Sequence, residues 1–161
     1  MNRQRGYTVT EILLMLGFLF IVIGVATPGF QQIRNSINRS NTQLLLLQDL
    51  RKAQAHTVTE GCRGIVRIAS NQRSYSFGCD YIPYSAANPP LPDSVVFLRY
   101  LPSSITIASS GPIIFNSRGQ TVDVNNNLTN TTITLLLDSG SGSPSLFATG
   151  ILRATGFFSF S

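Results

Sequence analysis

The sequence predicts an α+β fold in which a long N-terminal helix, kinked at Pro28, packs on antiparallel β-sheets. Residues 12–30 form an uncharged apolar run, and an amphipathic pattern with helical spacing continues from it to about residue 58. From residue 59 onward, short alternating strands are separated by glycine, proline, serine and asparagine. A helix followed only by strands is typical of antiparallel sheets packed on that helix.

The apolar run is long enough to cross a membrane. No charged residue occurs between Glu11 and Arg34, and the roughly 19 apolar residues correspond to ~28 Å of helix, close to the ~30 Å hydrocarbon thickness of a bilayer. Arg3 and Arg5 precede the run, so the positive-inside tendency places the N-terminus in the cytoplasm. The remainder of the chain is then exported.

An ordinary secretory signal is an alternative interpretation of the same run. Small residues at Gly24, Val25 and Ala26 suit a signal peptidase, which would release a free β protein beginning at Thr27. Against this alternative, a carboxylate at Glu11 stands directly before the apolar run, where a charge is costly. The helical pattern also continues past the cleavage position.

The second part of the helix is amphipathic. Its apolar residues recur at intervals of three, four or seven, which indicates one buried face: Phe30, Ile33, Ile37, Leu44, Leu47, Leu50 and Ala53. Pro28 removes one backbone hydrogen bond and is expected to kink the helix. We predict that the helix runs from Tyr7 to about Val58 and that Gly61 marks its end.

The first 30 residues combine four features at fixed spacing. A short basic leader ends in Gly6, the aromatic Tyr7 follows, Glu11 precedes the apolar run, and Pro28 lies near its end. This combination resembles the class III signal of type IV pilins and type II secretion pseudopilins. In that family a prepilin peptidase cuts after the glycine and methylates the new N-terminal residue. The resemblance therefore implies cleavage after Gly6 and N-methylation of Tyr7.

The resemblance also implies how the chain is organised and what it contacts. Glu11 would pair with the N-terminal amine of a neighbouring subunit, which offsets part of the cost of burying the carboxylate. The implied partners are other pilins or pseudopilins, the prepilin peptidase, the inner-membrane assembly platform and the membrane itself. The implied segments are a leader at 1–6, a transmembrane and assembly half of the helix at 7–30, an amphipathic half at 31–58 and a periplasmic β domain at 59–161.

The β domain carries a second resemblance. Strands are predicted at 64–68, 73–77, 95–101, 105–108, 112–115, 121–124, 131–137 and 146–158. The segment GPIIFNSRGQTVD, a strand ending in Phe115 and a turn through Arg118 and Gly119, resembles the pseudopilin H and FimT group of minor subunits. That group implies a minor subunit of a pilus or pseudopilus, at the tip or in the initiation complex.

The two cysteines, Cys62 and Cys79, flank the first predicted hairpin. Each has the alternation parity of apolar neighbours, so both point to the hairpin's apolar face, and a turn centred on Ser70 and Asn71 places them directly opposite each other. In an exported domain they are expected to form a disulfide, worth about 3 kcal/mol in the chain-entropy model. Two buried free thiols are the alternative.

The sequence offers no support for catalysis, a cofactor or a metal. The single histidine, His56, has no nucleophile motif or paired carboxylate around it and is expected to be a surface or packing residue. Residues 123–127 begin like a calcium loop but lack the glycine and the bidentate glutamate, so we interpret them as a hairpin turn.

The net charge of +5 raises DNA binding as an alternative function. Some FimT-like subunits bind DNA during natural transformation through a C-terminal Gly-Arg-x-Arg motif, from which this chain departs because Gly150 to Arg153 supplies one arginine. A mildly basic periplasmic surface is the favoured interpretation. The candidate phosphate-binding residues are Arg63, Arg67, Arg99, Arg118 and Arg153.

Overall fold

The structure is a computed structural model of the chain, and it describes residues 8–82, 92–138 and 143–160, without the side chains of 25–29 and 31. The chain divides into two compact units, residues 1–38 and 39–161. One helix, α1, extends from Val9 to Glu60 and contributes to both. Among the described residues, no helix is both long and apolar enough to span a bilayer.

The first unit contains the beginning of α1. Thr8 precedes the helix and caps it, since its carbonyl accepts the N–H of Ile12 at 3.2 Å. The five consecutive apolar side chains from Ile12 to Leu16 are all exposed. Successive residues of a helix point about 100° apart, so this part of α1 is apolar on every side. The helix continues through Pro28 without interruption, and the kink expected there stays a prediction.

In the second unit, α1 buries a narrower face than its apolar residues suggest. The buried side chains Leu46, Leu50, Ala53 and Thr57 follow one another at intervals of four, three and four residues. Leu44, which the sequence pattern placed on the buried stripe, is 56% exposed, and Phe30, Ile33 and Ile37 of the first unit are exposed as well. The predicted burial is therefore wrong for these four residues. The helix ends where expected, because residue 61 adopts φ +64°, a conformation that favours glycine.

Five strands form one antiparallel sheet. The strands are β1 Arg63–Ile68, β2 Ser74–Asp80, β3 Ser94–Tyr100, β5 Ile113–Phe115 and β6 Thr121–Val122. Their order in the sheet is β3-β2-β1-β5-β6. A bulge interrupts the β2–β3 pairing between Phe77 and Gly78. Among the described residues, β3 therefore forms one edge of the sheet.

The other four strands form a second antiparallel sheet. Its order is β4-β7-β8-β9, with β4 Ile105–Ser109, β7 Thr131–Leu137, β8 Ser145–Leu152 and β9 Phe158–Phe160. Strand β7 alternates strictly between buried and half-buried side chains, as a sheet with one covered face requires. The single strand predicted at 146–158 is two strands, because Gly156 turns the chain with φ +83°.

One core joins the second part of α1 to both sheets. Leu46, Leu50 and Ala53 of the helix pack with apolar side chains of the sheets: Val66, Tyr75, Phe77, Ile105, Ile107, Ile113, Phe115, Ile133, Leu135 and Leu152. The predicted α+β class, a long helix packed on antiparallel sheets, is confirmed by this arrangement of the second unit.

Strand β1 approaches the end of α1 at Gly64. A Cβ added to Gly64 would collide with the Thr57 hydroxyl and lie 2.8 Å from the Phe77 ring. The Thr57 hydroxyl itself donates to the Ala53 carbonyl at 2.6 Å, so it is held within the helix. Only glycine lets the strand come this close to the helix.

Candidate functional site

The first turn of α1 carries Glu11, the residue predicted to pair between subunits. The Thr8 hydroxyl accepts the Glu11 N–H at 3.4 Å, and the Thr8 carbonyl accepts it at 3.1 Å. Glu11 is therefore the third residue of a helix that begins at Val9, where a negative charge interacts favourably with the helix dipole. This local role exists in the isolated chain and does not exclude pairing between subunits.

The structure does not describe the side chains of the other residues predicted for processing and assembly. Gly6 and Tyr7 lie outside the described residues. Pro28 lies within α1, but its side chain is not among those described. Processing after Gly6 and methylation of Tyr7 therefore stay predictions.

Cys62 and Cys79 form the predicted disulfide, with Cα atoms 5.7 Å apart. Both side chains are buried. The predicted register is wrong by two residues, since Cys79 lies opposite Gly64 and the two cysteines are diagonal neighbours. The turn is centred on Asn71 and Gln72, because Gln72 adopts φ +57° and the Ala69 N–H donates to Ser74 across the turn.

Arg63, next to the disulfide, forms a buried ion pair with Asp80. Its guanidinium donates to the Asp80 carboxylate, and Arg63 and Asp80 are 9% and 3% exposed. A cavity of about 320 Å³ lies beside the pair and is also lined by Asn116 and Ser117. Because the two charges compensate each other, the cavity presents little net charge, and the pair mainly connects β1 to β2.

Asp49 links α1 to two strands of the five-stranded sheet. Its carboxylate accepts the Tyr75 hydroxyl at 2.7 Å and two N–H groups of Arg99 at 2.9 and 3.1 Å. Burial and the hydrogen bond to Asp49 raise the pKa of Tyr75 above its ordinary value. The bonds to Asp49 likewise raise the pKa of Arg99. Arg99, a candidate for DNA binding, thus carries a charge that a buried carboxylate already compensates.

Sequence reasoning missed Asp49, although a signal was present. Asp49 precedes Leu50 on the helix face that also carries Leu46 and Ala53, and an acid on a buried face needs a partner. Its partners lie 26 and 50 residues further along the chain, beyond the reach of any local pattern.

The remaining candidate arginines, Arg67, Arg118 and Arg153, are exposed and form no ion pair with a described residue. Arg118 and Arg153 lie on two neighbouring turns. The Thr121 N–H at one turn donates to the Ala154 carbonyl at the other, at 3.0 Å. The structure therefore brings these two arginines into one region, whereas Arg67 lies on β1.

Gln54 of α1 holds the first of these turns in place. The Gln54 side-chain amide donates to the Gly119 carbonyl at 2.8 Å. A Cβ added to Gly156 would collide with the Gly119 carbonyl oxygen and with the Gln54 amide nitrogen. Gly119 and Gly156 also adopt positive φ angles. The Arg118-Gly119 segment that carried the second resemblance is thus a structural junction between the helix and two turns.

His56 and Asp123 make contacts that stabilise the fold: His56 packs against an aromatic ring, and Asp123 accepts hydrogen bonds within a turn. The His56 ring packs edge-on against Phe77, with ring centroids 5.8 Å apart, as expected of a packing residue. The Asp123 carboxylate accepts the N–H groups of Asn125 and Asn127, both at 2.8 Å. These bonds lower the pKa of Asp123, with the bond from Asn127 contributing most. Residues 123–127 form a turn, consistent with the sequence interpretation.

Solved structures of a minor pilin and of a minor pseudopilin are similar to this chain. The type IV minor pilin FimU of Pseudomonas aeruginosa superposes with a TM-score of 0.54 at 9% sequence identity, covering 76% of this chain and 91% of that chain. The minor pseudopilin EpsH from the type 2 secretion system of Vibrio cholerae gives a TM-score of 0.49 at 12% identity, covering 76% and 94%. No protein-family model and no curated protein sequence matches the chain. The superposition on FimU shows that this chain has the pilin-like fold.

Proposed function

We propose that this chain is a minor pilin or pseudopilin, a structural subunit at the tip or in the initiation complex of a type IV pilus or type II secretion pseudopilus. One observation carries the proposal. A single helix is apolar on every side at its start and continues into a β domain with the fold of a minor pilin. A helix that is apolar on all sides is suited to lipid or to a bundle of helices.

Processing and anchoring follow from the N-terminal motif. The prepilin peptidase removes residues 1–6 by cutting after Gly6 and methylates Tyr7. Residues 7–30 then anchor the chain in the inner membrane with the N-terminus in the cytoplasm, and this segment includes 25–29, whose side chains are not described. Residues 31–58 and the β domain at 59–161 lie in the periplasm.

Glu11 takes part in assembly. Cleavage after Gly6 leaves Thr8 in place, so the helix retains its capping residue and Glu11 remains in the first turn. An unpaired carboxylate at the edge of the bilayer is costly, and the amine of Tyr7 on a neighbouring subunit offsets that cost. This pairing favours docking with other pilins or pseudopilins when the assembly platform extracts the subunit from the membrane.

The intact mass and N-terminal peptide of the protein from native membranes test the proposal. We expect a chain that begins at Tyr7 and is heavier by one methyl group, about 14 Da. A soluble chain that begins at Thr27 would instead show that a signal peptidase releases the β domain, and the filament proposal would be abandoned.

Incorporation into filaments tests the role of Glu11. Glu11→Gln keeps the side-chain volume and removes the charge, so we expect normal processing but reduced recovery in sheared filaments. Glu60→Gln is the matched control, because Glu60 is the other glutamate of the same helix and lies at its end. Equal recovery of the two variants would contradict the pairing role.

DNA capture is a second candidate function, favoured by the adjacent exposed turns of Arg118 and Arg153. Its test is binding of duplex DNA by the full chain in non-ionic detergent across a salt series. If both arginines contact phosphates, Arg118→Gln with Arg153→Gln lowers the slope of log K against log salt by about 2. Arg73→Gln is the control, since Arg73 pairs with Asp138. An unchanged slope removes this candidate.

A further inference from the structure

A cleft separates the end of β1 from the connection between β4 and β5. Its volume is about 490 Å³, within the range of roughly 300–1,000 Å³ that is typical of ligand pockets. Strand β5 pairs with β1 only as far as Val66, which lies opposite Ile113. The residue before Ile113 is Pro112, which has no N–H and cannot continue the ladder. The two segments therefore diverge beyond Val66, and the cleft opens between them.

One residue of β1 has open backbone groups in this cleft. The Ala69 N–H donates to the Ser74 carbonyl, on the side of β2. Backbone groups of an antiparallel strand alternate in direction, so those of Ile68 point away from β2 and into the cleft. The register of β1 and β5 would place Gly111 opposite Ile68, but no backbone hydrogen bond of the described chain joins these two residues. Ile68 therefore offers one donor and one acceptor to a partner.

The cleft is mainly apolar, with one positive charge. Its walls include Ile65, Ile114 and Val124, of which Val124 is 49% exposed. Among the described residues that line the cleft, Arg67 is the only charged one. Arg67 is exposed and forms no ion pair with a described residue. The cleft thus combines an apolar surface, an uncompensated guanidinium and open backbone groups.

We propose that this cleft binds the C-terminal residue of a partner protein, one that carries an aliphatic side chain and a free carboxylate. The aliphatic side chain lies against the apolar walls, and the carboxylate accepts hydrogen bonds from the Arg67 guanidinium. The main chain of the bound residue pairs with Ile68, as a peptide does when it adds to a strand. Because the chain turns back after Ile68, this pairing spans one or two residues, which suits the end of a chain better than a segment that continues in both directions.

Charge and hydrogen bonding together define the partner. Because Arg67 is not engaged by a described acid, binding a carboxylate there breaks no ion pair of the described chain. The net charge of +5 favours a different, less basic protein over a second copy of this chain. A fatty acid has the same carboxylate and aliphatic chain, but it has no group that donates to the Ile68 carbonyl, whereas a peptide has its N–H. The proposal concerns the β domain alone and does not rest on the proposed filament function.

Titration of the isotope-labelled full chain in non-ionic detergent with a short peptide tests the proposal. The probe is acetyl-Ala-Ala-Leu with a free carboxylate, and the control is the same peptide with a C-terminal amide. NMR detects the Ile68 N–H directly, and we expect its resonance to move more than that of Ala69, whose N–H is already bonded to Ser74. The free acid should bind about tenfold more tightly than the amide, because only the acid forms a charge-assisted bond with Arg67.

Two pairs of variants test the residues that form the cleft. Arg67→Gln should weaken binding of the free acid about tenfold and leave binding of the amide unchanged. Arg73→Gln is its control, because Arg73 already pairs with Asp138 and does not line the cleft. Val124→Asp should weaken binding by placing a second carboxylate in the wall. Leu128→Asp is the control for that change, since Leu128 is 59% exposed and lies outside the cleft.

Three outcomes would overturn the proposal, provided that the resonances outside the cleft show each variant to be folded. Equal affinity of the free acid and the amide would show that Arg67 does not recognise a carboxylate. Octanoate that binds as tightly as the free acid and moves the same resonances would assign the cleft to a fatty acid. An Ile68 resonance that does not move up to the solubility limit of the peptide would show that the cleft does not bind the end of a chain.

Discussion

Replacing Asp49 with alanine should loosen the contact between α1 and the five-stranded sheet. Asp49 is buried and holds Tyr75 of β2 and Arg99 of β3 through three hydrogen bonds. Its removal leaves the Tyr75 hydroxyl buried without its acceptor. Arg99 behaves differently, because its side chain is 42% exposed and can be hydrated once the carboxylate is gone.

The expected cost follows from these two terms. An unsatisfied buried hydroxyl costs about 1–3 kcal/mol. The ion pair with Arg99 contributes only about 0.2–1 kcal/mol, because the Arg99 side chain is 42% exposed to solvent. We expect Asp49→Ala to lower the free energy of unfolding by about 1–4 kcal/mol. Asp49→Asn retains an acceptor for Tyr75 and should cost about 1 kcal/mol.

Urea unfolding of the full chain in non-ionic detergent measures this cost. The chain has five tyrosines and no tryptophan, so near-UV circular dichroism reports tyrosine packing. Arg73→Gln is the matched control, because Arg73 forms an ion pair of similar length with Asp138 in which both side chains are at least one-third exposed. If Asp49→Ala and Arg73→Gln cost the same, the reasoning that burial makes Asp49 important is refuted.

Three further predictions use the same unfolding assay. Gly64→Ala should destabilise the second unit by about 1–3 kcal/mol through overpacking against the helix end, whereas Gly111→Ala, with open space around its position, should not. Replacing Cys62 and Cys79 together by serine should cost about 3 kcal/mol, because a covalent loop spanning 17 residues no longer restricts the unfolded chain. The raised pKa of Tyr75 predicts that the contribution of this residue to stability is constant below about pH 10 and falls above it, since the unfolded chain ionises first.

Each of these predictions has a result that would contradict it. Equal stability of the Gly64→Ala and Gly111→Ala variants would show that β1 can move away from the helix at no cost. Unchanged stability after reduction of the wild-type protein would refute the disulfide estimate. For the alkaline loss, Tyr75→Phe should flatten the pH dependence above pH 10, and an unchanged slope would assign it to another group.

The sequence predicted the elements of this fold better than their mutual positions. The helix end at Gly61 and the hairpin containing Cys79 depend on local signals, a glycine and an alternating pattern, and both were predicted. The register of the hairpin was wrong because Gln72, a residue without special propensity for positive φ, takes the left-handed position of the turn. A two-residue shift preserves the parity of every side chain, so the disulfide was still predicted.

Local sequence patterns could not predict which face of α1 is buried or which arginines form ion pairs. The face that the sheets cover includes polar residues such as Asp49 and Thr57, so counting apolar residues misplaced Leu44. Arg63 and Arg99 find their carboxylates 17 and 50 residues away, through strand pairing and helix packing. A basic residue in a sequence therefore indicates a free positive charge only after the acids near it in space are known.

The disulfide has a mechanical consequence. Both cysteines follow the last residue of α1, so the covalent loop encloses the first hairpin and leaves the helix outside it. Under tension along the helix, the hairpin stays closed while the sheets can separate from the helix by breaking non-covalent contacts alone. The bonds of Asp49 to β2 and β3, and of Gln54 to the Gly119 turn, resist that separation. The disulfide therefore keeps the first hairpin closed even where the contacts between helix and sheet are broken.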